Sequence, residues 1–147
     1  MGKGVRMIRE RIEEIREELG SLEDEYMQYS FLVELSAYVS PDQPDLMTDE
    51  FLQHGCQSQV WVRFRSDEGM FYMDATSDTL LIRGVLYIMM ELFNGSPAEE
   101  IAAEHPDFLK ECGISGHFSG SRINGIRSIT DSVYDYCRSY SENAGTD

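Results

Sequence analysis

Residues 54–61 read HGCQSQVW, and the thiol of Cys56 is the group whose neighbours best equip it for chemistry. Gly55 permits unusual backbone angles and close approach by a partner, while Gln57, Ser58 and Gln59 are neutral hydrogen-bonding groups able to hold a sulfur anion without quenching it. No Lys or Arg lies between Met47 and Trp61, so His54 is the one titratable helper that the local sequence offers. Such surroundings suit attack on another sulfur. In thiol exchange a lower pKa raises the thiolate fraction but lowers its nucleophilicity, so moderate activation suffices. From composition alone a purely structural Cys56 stays open, because one cysteine carries little information.

Cys112, just before Gly113, and Cys137, on the apolar side of the last predicted helix, read as small buried hydrophobes. Three cysteines with no C-x-x-C spacing make neither a disulfide framework nor a zinc ribbon nor a thioredoxin motif, so free thiols are expected. A cysteine hydrolase would pair Cys56 with His105 or His117 and with Asn94 or Asn124. The QVWVRF that follows Cys56 reads as a strand, whereas papain-like enzymes place the nucleophile at a helix start. A metal or cluster site recruiting His54 and the cysteines has little support from spacing.

The length of 147 residues fits one domain, and 41% hydrophobic with 11% aromatic residues excludes a disordered acidic polymer. Twelve basic against 27 acidic side chains give a net charge of −15. The first 20 residues are balanced, five against five, so the excess lies in the rest of the chain. Nucleic acid and anionic membranes are therefore poor partners, and a basic patch on another protein is a good one; a merely solubilising surface is the plain alternative. No apolar run approaches a membrane span, and MGKGVRMIRE has no signal-peptide core, so a cytoplasmic location is expected.

The elements that must position Cys56 follow from periodicity. Val5, Ile8, Ile12, Ile15 and Leu19 draw one stripe on an amino-terminal amphipathic helix within residues 1–20, ended by Gly20. It reads as cover for the core, with partner docking as the other role open to it. Ser21 is placed to cap a second helix, whose stripe of Tyr26, Tyr29, Leu32, Val33 and Val39 runs toward Pro41. Residues 41–48 are a loop. Val60, Val62 and Phe64 alternate with Trp61, Arg63 and Arg65 as a half-buried strand, SDEG turns it, and MFYMDA pairs back; a short stretch before Gly55 is expected to supply a third strand. After Ser77 or Asp78 as cap, TLLIRGVLYIMMELF is apolar on nearly every face and predicts a central buried helix stopped by Asn94 and Gly95. SPAEE predicts a capped helix start with Ser96 as cap and Pro97 first. The last helix begins near 119–121 with Ile123, Ile126, Ile129, Thr130, Val133 and Cys137 inward, and 141–147 is a flexible tail. The order describes an α+β domain with a small antiparallel sheet of about three strands packed against helices.

GCQSQVW, YSFLVELSAYV, TSDTLLIRGVLYIMMELFNGSPAEEI and GISGHFSGSRINGI together resemble the SufE family of sulfur-transfer proteins, including its CsdE members, over roughly 22–137. The resemblance makes 21–140 a SufE-like domain similar in fold to the IscU-type cluster scaffold. It implies that Cys56 accepts persulfide sulfur from a SufS- or CsdA-like cysteine desulfurase, stimulates that enzyme, and passes sulfur to iron-sulfur assembly on a SufB-like scaffold. The chain itself then needs no cofactor, since pyridoxal phosphate belongs to the desulfurase. The different-class alternative is a regulatory module that activates a desulfurase without carrying sulfur.

The resemblance also implies a cysteine loop that folds inward over an apolar pocket and swings out to meet its partner. His54, Gly55, Gln57 and Ser58 would support that loop, with Asp78 and Arg122 nearby. Asp78 has the alternative of capping the buried helix, and Arg122 that of pairing with a surface carboxylate. Folded back toward Cys56, Arg122 would supply the cation missing locally. Two departures stand out: FLQHGC lacks the Arg or Lys often found just before the family's cysteine, and the amino-terminal helix is less familiar.

Overall fold

The apolar run from 80 to 93 dictates the layout. It forms helix α3 (Leu80–Phe93), ten of whose fourteen residues are buried, so other elements must cover it on several sides. The computed structural model describes residues 7–22, 24–54, 58–118 and 120–144. In chain order these give α1 (Ile8–Gly20), α2 (Glu25–Leu35) running into a 3-10 turn (Ser36–Tyr38), β1 (Val60–Asp67), β2 (Met70–Ser77) and α3. Then come β3 (Ser96–Pro97), α4 (Ala98–Glu104), α5 (Phe108–Glu111), a second 3-10 turn (Ser115–His117) and α6 (Gly120–Ala144). The class is the expected α+β, with a three-stranded antiparallel sheet in the order β1-β2-β3.

β1 and β2 pair in full register from Val60 with Ser77 to Asp67 with Met70, leaving a two-residue turn. Glu68 (φ 51°) and Gly69 (φ 83°) both take left-handed angles, as the primed hairpin turn requires. The inward alternation of Val60, Val62 and Phe64 holds, but Trp61 is buried as well, because residues 51–53 run back beside β1. Gln53 N–H donates to Val60 O (2.8 Å) and Val62 N–H to Phe51 O (3.0 Å). Leu52 makes only an isolated bridge to Trp61, so the third strand is not the stretch before Gly55. That place goes to Ser96–Pro97, which pairs with Phe71 and Met70 at the opposite edge.

Further along the outer β2 edge, side chains occupy the backbone of Met73 and the carbonyl of Ser77. The Asn94 amide accepts from Met73 N–H (2.7 Å) and donates to Met73 O (3.1 Å), and Arg83 donates to Ser77 O (2.7 Å). Using Ser96 in the sheet leaves α4 without the capping box that SPAEE suggests: Pro97 is the flanking residue, and the Ser96 hydroxyl accepts from Arg11 (2.9 Å).

Helix α1 covers the core, as its stripe predicts, with Ile8, Ile12 and Leu19 buried. Val5 lies outside the described residues. Ser21 does not cap α2. It ends α1, its hydroxyl donating to Glu18 O (2.7 Å), and Asp24 caps α2 by accepting from Met27 N–H (2.8 Å). The α2 stripe is also narrower than expected, since Tyr26 and Tyr29 are exposed and Leu32 is the buried residue of this helix. There α2 meets α3 through backbone: a Cβ on Gly84 would stand 2.0 Å from Leu32 O. α6 continues to Ala144, into the segment expected as a tail.

Cys112 and Cys137 are both core residues, 1% and 0% exposed, as their settings predict. Burial pushes each thiol up to about 12 from an ordinary value of 9.0. Burial likewise raises the Tyr134 phenol, whose hydroxyl donates to Pro106 O. All three groups are kept neutral by folding. Their stabilisation is therefore complete below the unfolded-state value and is lost as pH rises through the folded one.

Two outcomes are expected. Gly84→Ala should destabilise by about 1–3 kcal/mol in urea unfolding, because overpacking against a backbone carbonyl outweighs the helix-propensity gain of Ala. Iodoacetamide at neutral pH followed by peptide mapping should leave Cys112 and Cys137 unmodified until denaturant is added, and the melting temperature should fall as pH is raised from 9 toward 12.

Candidate functional site

The segment carrying HGCQSQ leaves and returns to the Gln53–Val60 pairing at the amino-terminal end of β1. Gly55, Cys56 and Gln57 lie outside the described residues. His54, on the near side, is exposed. On the far side the chain is fixed at Gln59 by both halves of its backbone. Its N–H donates to the Asp78 carboxylate (3.2 Å), and its C=O accepts from the Ser77 hydroxyl (2.7 Å) and from Asp78 N–H (3.2 Å). Asp78 therefore holds the outgoing arm of the segment, and does not cap α3: the flanking residue there is Thr79, which makes no side-chain cap bond. The Thr79 hydroxyl reaches both Ser58 Oγ (2.8 Å) and the Asp78 carboxylate (3.0 Å), joining the two sides of the hairpin's open end.

Ser58 and Val60 also form one wall of a small, largely apolar pocket. Ile82 from α3 and Arg122, Gly125, Ile126 and Ile129 from α6 complete it. Ile82 and Arg122 both belong to the first turns of their helices, so two helix amino-termini, the positive ends of the helix dipoles, border this pocket, and Arg122 is a charged residue of its lining. An apolar lining with one cationic residue suits a negative group of low polarity.

Of the site residues expected from sequence, Ser58 and Arg122 share this pocket, and Asp78 stands beside Ser58 through Thr79. His54 lies on the other arm of the segment. Sequence reasoning missed Thr79 and Ser77, whose hydroxyls tie α3 and β2 to residues 58–59; the only signal was their place either side of Asp78 in TSDT. It also missed the pocket walls. Ile126 and Ile129 were legible as the inner face of the last helix, but nothing in a stripe says that one end of it opens beside Ser58.

The family model described as SufE, Fe-S metabolism associated domain, matches residues 13–137. An uncharacterised SufE-like protein of Rhizobium etli is 27% identical over 138 residues, covering 90% of this chain and 93% of that protein. The cysteine desulfuration protein SufE of Plasmodium vivax is 33% identical over 101 residues, 66% of this chain and 42% of its own length. A chloroplastic and mitochondrial SufE-like protein of Arabidopsis thaliana is 31% identical over 120 residues, 81% of this chain and 32% of its own. The chain thus spans nearly all of the bacterial relative and less than half of the other two. Among solved structures, a hypothetical protein from Thermus thermophilus shares the fold with a TM-score of 0.71 at 18% identity, over 88% of this chain and 94% of that one. With the family domain matched along most of its length and the fold to go with it, the chain belongs to the SufE family.

Proposed function

We propose that this protein accepts sulfur from a cysteine desulfurase and carries it as a persulfide on Cys56 toward iron-sulfur cluster assembly. The observation that carries the reading is the shared pocket of Ser58 and Arg122. Cys56 precedes Ser58 by two residues, a chain length of at most about 7 Å, so the pocket is within its reach. The family membership and the desulfuration role named for the Plasmodium relative support the same chemistry.

In the transfer, the Cys56 thiolate attacks the terminal sulfur of the donor's cysteine persulfide. A new S–S bond forms at Cys56, the donor's S–S bond breaks, and the donor cysteine leaves as a thiolate that takes up a proton. No external oxidant or reductant is consumed. Arg122 and the two helix amino-termini stabilise the anion before attack and the persulfide anion after it, and the apolar walls keep oxidants from it. Pyridoxal phosphate belongs to the desulfurase, which is SufS- or CsdA-like, and the receiver is a SufB-like scaffold in the cytoplasm. Nucleic acid and anionic membranes have no part in this reading, in keeping with a charge of −15.

The test is intact-protein mass spectrometry of wild type and Cys56→Ser after incubation with a cysteine desulfurase and cysteine. One reducible sulfur, about 32 Da, is expected on wild type alone. Desulfurase stimulation by both proteins with no added sulfur on either would instead make the protein a regulatory module. Arg122→Gln should raise the pKa read from the pH dependence of Cys56 alkylation and slow sulfur uptake by roughly tenfold, about 1.4 kcal/mol in the barrier. An unchanged alkylation profile would remove Arg122 from the activation of the thiol.

A further inference from the structure

The walls of α3 that do not face the sulfur pocket lead to a second surface. A groove of about 620 Å³ runs between α1, α2 and α3. Phe31 and Leu35 of α2, with Ile88 of α3, give it an apolar floor, and Tyr38 and Tyr87 stack at one side with ring centroids 5.1 Å apart. Tyr38 is 71% exposed, which is unusual for an aromatic ring of this size. Glu14 and Glu18, four residues apart and so on one face of α1, line one rim, and Glu91 of α3 lines the other; Arg11 lines the groove as well, its guanidinium donating to Leu92 O and the Ser96 hydroxyl, so three carboxylates stand against one committed cation. Counted at 3.6 residues per turn, Glu91 stands about 180° round α3 from Ile82, so the groove opens away from the pocket beside Ser58.

We propose that this groove is a docking site for an amphipathic helix of a protein partner that carries Lys or Arg beside its apolar face. An apolar stripe would lie on Phe31, Leu35 and Ile88 while its flanking cations meet carboxylates on both rims and the Tyr38 ring, a helix-in-groove mode selected by charge. The charge pattern also decides against the other occupants. A second copy would bring −15 against −15 and set glutamates against glutamates, and an anionic lipid surface is repelled by the same rims. The proposal does not depend on sulfur transfer. Because the two surfaces lie on opposite sides of α3, a partner held here leaves the Cys56 side of the molecule open to a second one.

The test uses the full chain, labelled with nitrogen-15, and a synthetic amphipathic helix of about 14 Leu and Lys residues, roughly four turns, at low salt. A scrambled peptide of the same composition with no apolar face is the control. Saturable amide shifts centred on Ile15, Leu35, Tyr38 and Ile88 are expected with the amphipathic peptide and not with the scrambled one. The double variant Glu18→Lys, Glu91→Lys should weaken binding at least about tenfold, and Tyr38→Ala should weaken it by at least about threefold. All three substituted side chains are exposed, so the variants are expected to stay folded, with at most a small drop in melting temperature for Tyr38→Ala from the lost Tyr87 stack, and sulfur uptake at Cys56 should stay at the wild-type level. Equal binding of the scrambled peptide, shifts gathered around Ser58 and Arg122, or a dimer in sedimentation velocity that buries Tyr38 would each overturn the proposal.

Discussion

Backbone contact between Gly84 and Leu32 is the constraint on which the rest of the arrangement turns. A helix as apolar as α3 must be covered on several sides, and the missing side chain at Gly84 lets α2 settle directly on its backbone. With α2 in that position, α1 closes over both, its Arg11 guanidinium donating to Leu92 O and to the Ser96 hydroxyl where α3 ends and β3 begins. The sheet takes another side of α3 through β2, and α6 comes beside it where Ile126 and Ile129 share a pocket with Ile82. The pocket beside Ser58 and the groove between the helices are what remain at two margins of this packing: one where the first turns of α3 and α6 meet the end of β1, the other where three helices do not quite close.

Much of this was readable from residue types. A run apolar on all faces has one stable location, so α3 was legible; so were the hairpin, whose period of two and Glu-Gly turn point the same way, and the burial of Cys112 and Cys137. What escaped reading were contacts between segments distant in sequence. Trp61 occupies an outward position by alternation, and only the return of residues 51–53 along β1 buries it. Ser96 has the residue type of a cap, but pairing with Phe71 and accepting from Arg11 gave it another use. Tyr26 and Tyr29 count as apolar in a stripe although their hydroxyls tolerate water, which is why α2 looked more amphipathic than it is.

The site divides in the same way. Cys56 stands out in the sequence because a motif is local, and it lies outside the described residues. The relation of Ser58 to Arg122 spans 64 positions and depends on how α6 packs, so composition carried no trace of it. Asp78 shows the intermediate case. Its position before α3 suggested a cap, whereas the register that sets Val60 against Ser77 places its carboxylate at Gln59 N–H. Each of these residues has the chemistry that its type suggests, and it is the strand register that decides where that chemistry is applied.

The closure of the β2 edge bears on how the protein behaves when crowded. Beyond the two-residue β3, Met73 spends its N–H and C=O on the Asn94 amide, and Ser77 its C=O on Arg83. A bare edge would offer these groups to a strand from a neighbouring molecule, the first step of sheet-to-sheet aggregation. At Met73 and Ser77 that template is occupied from within, by side chains that cannot be extended into another strand. Molecules that collide at high concentration therefore find little backbone to share at these positions of the edge.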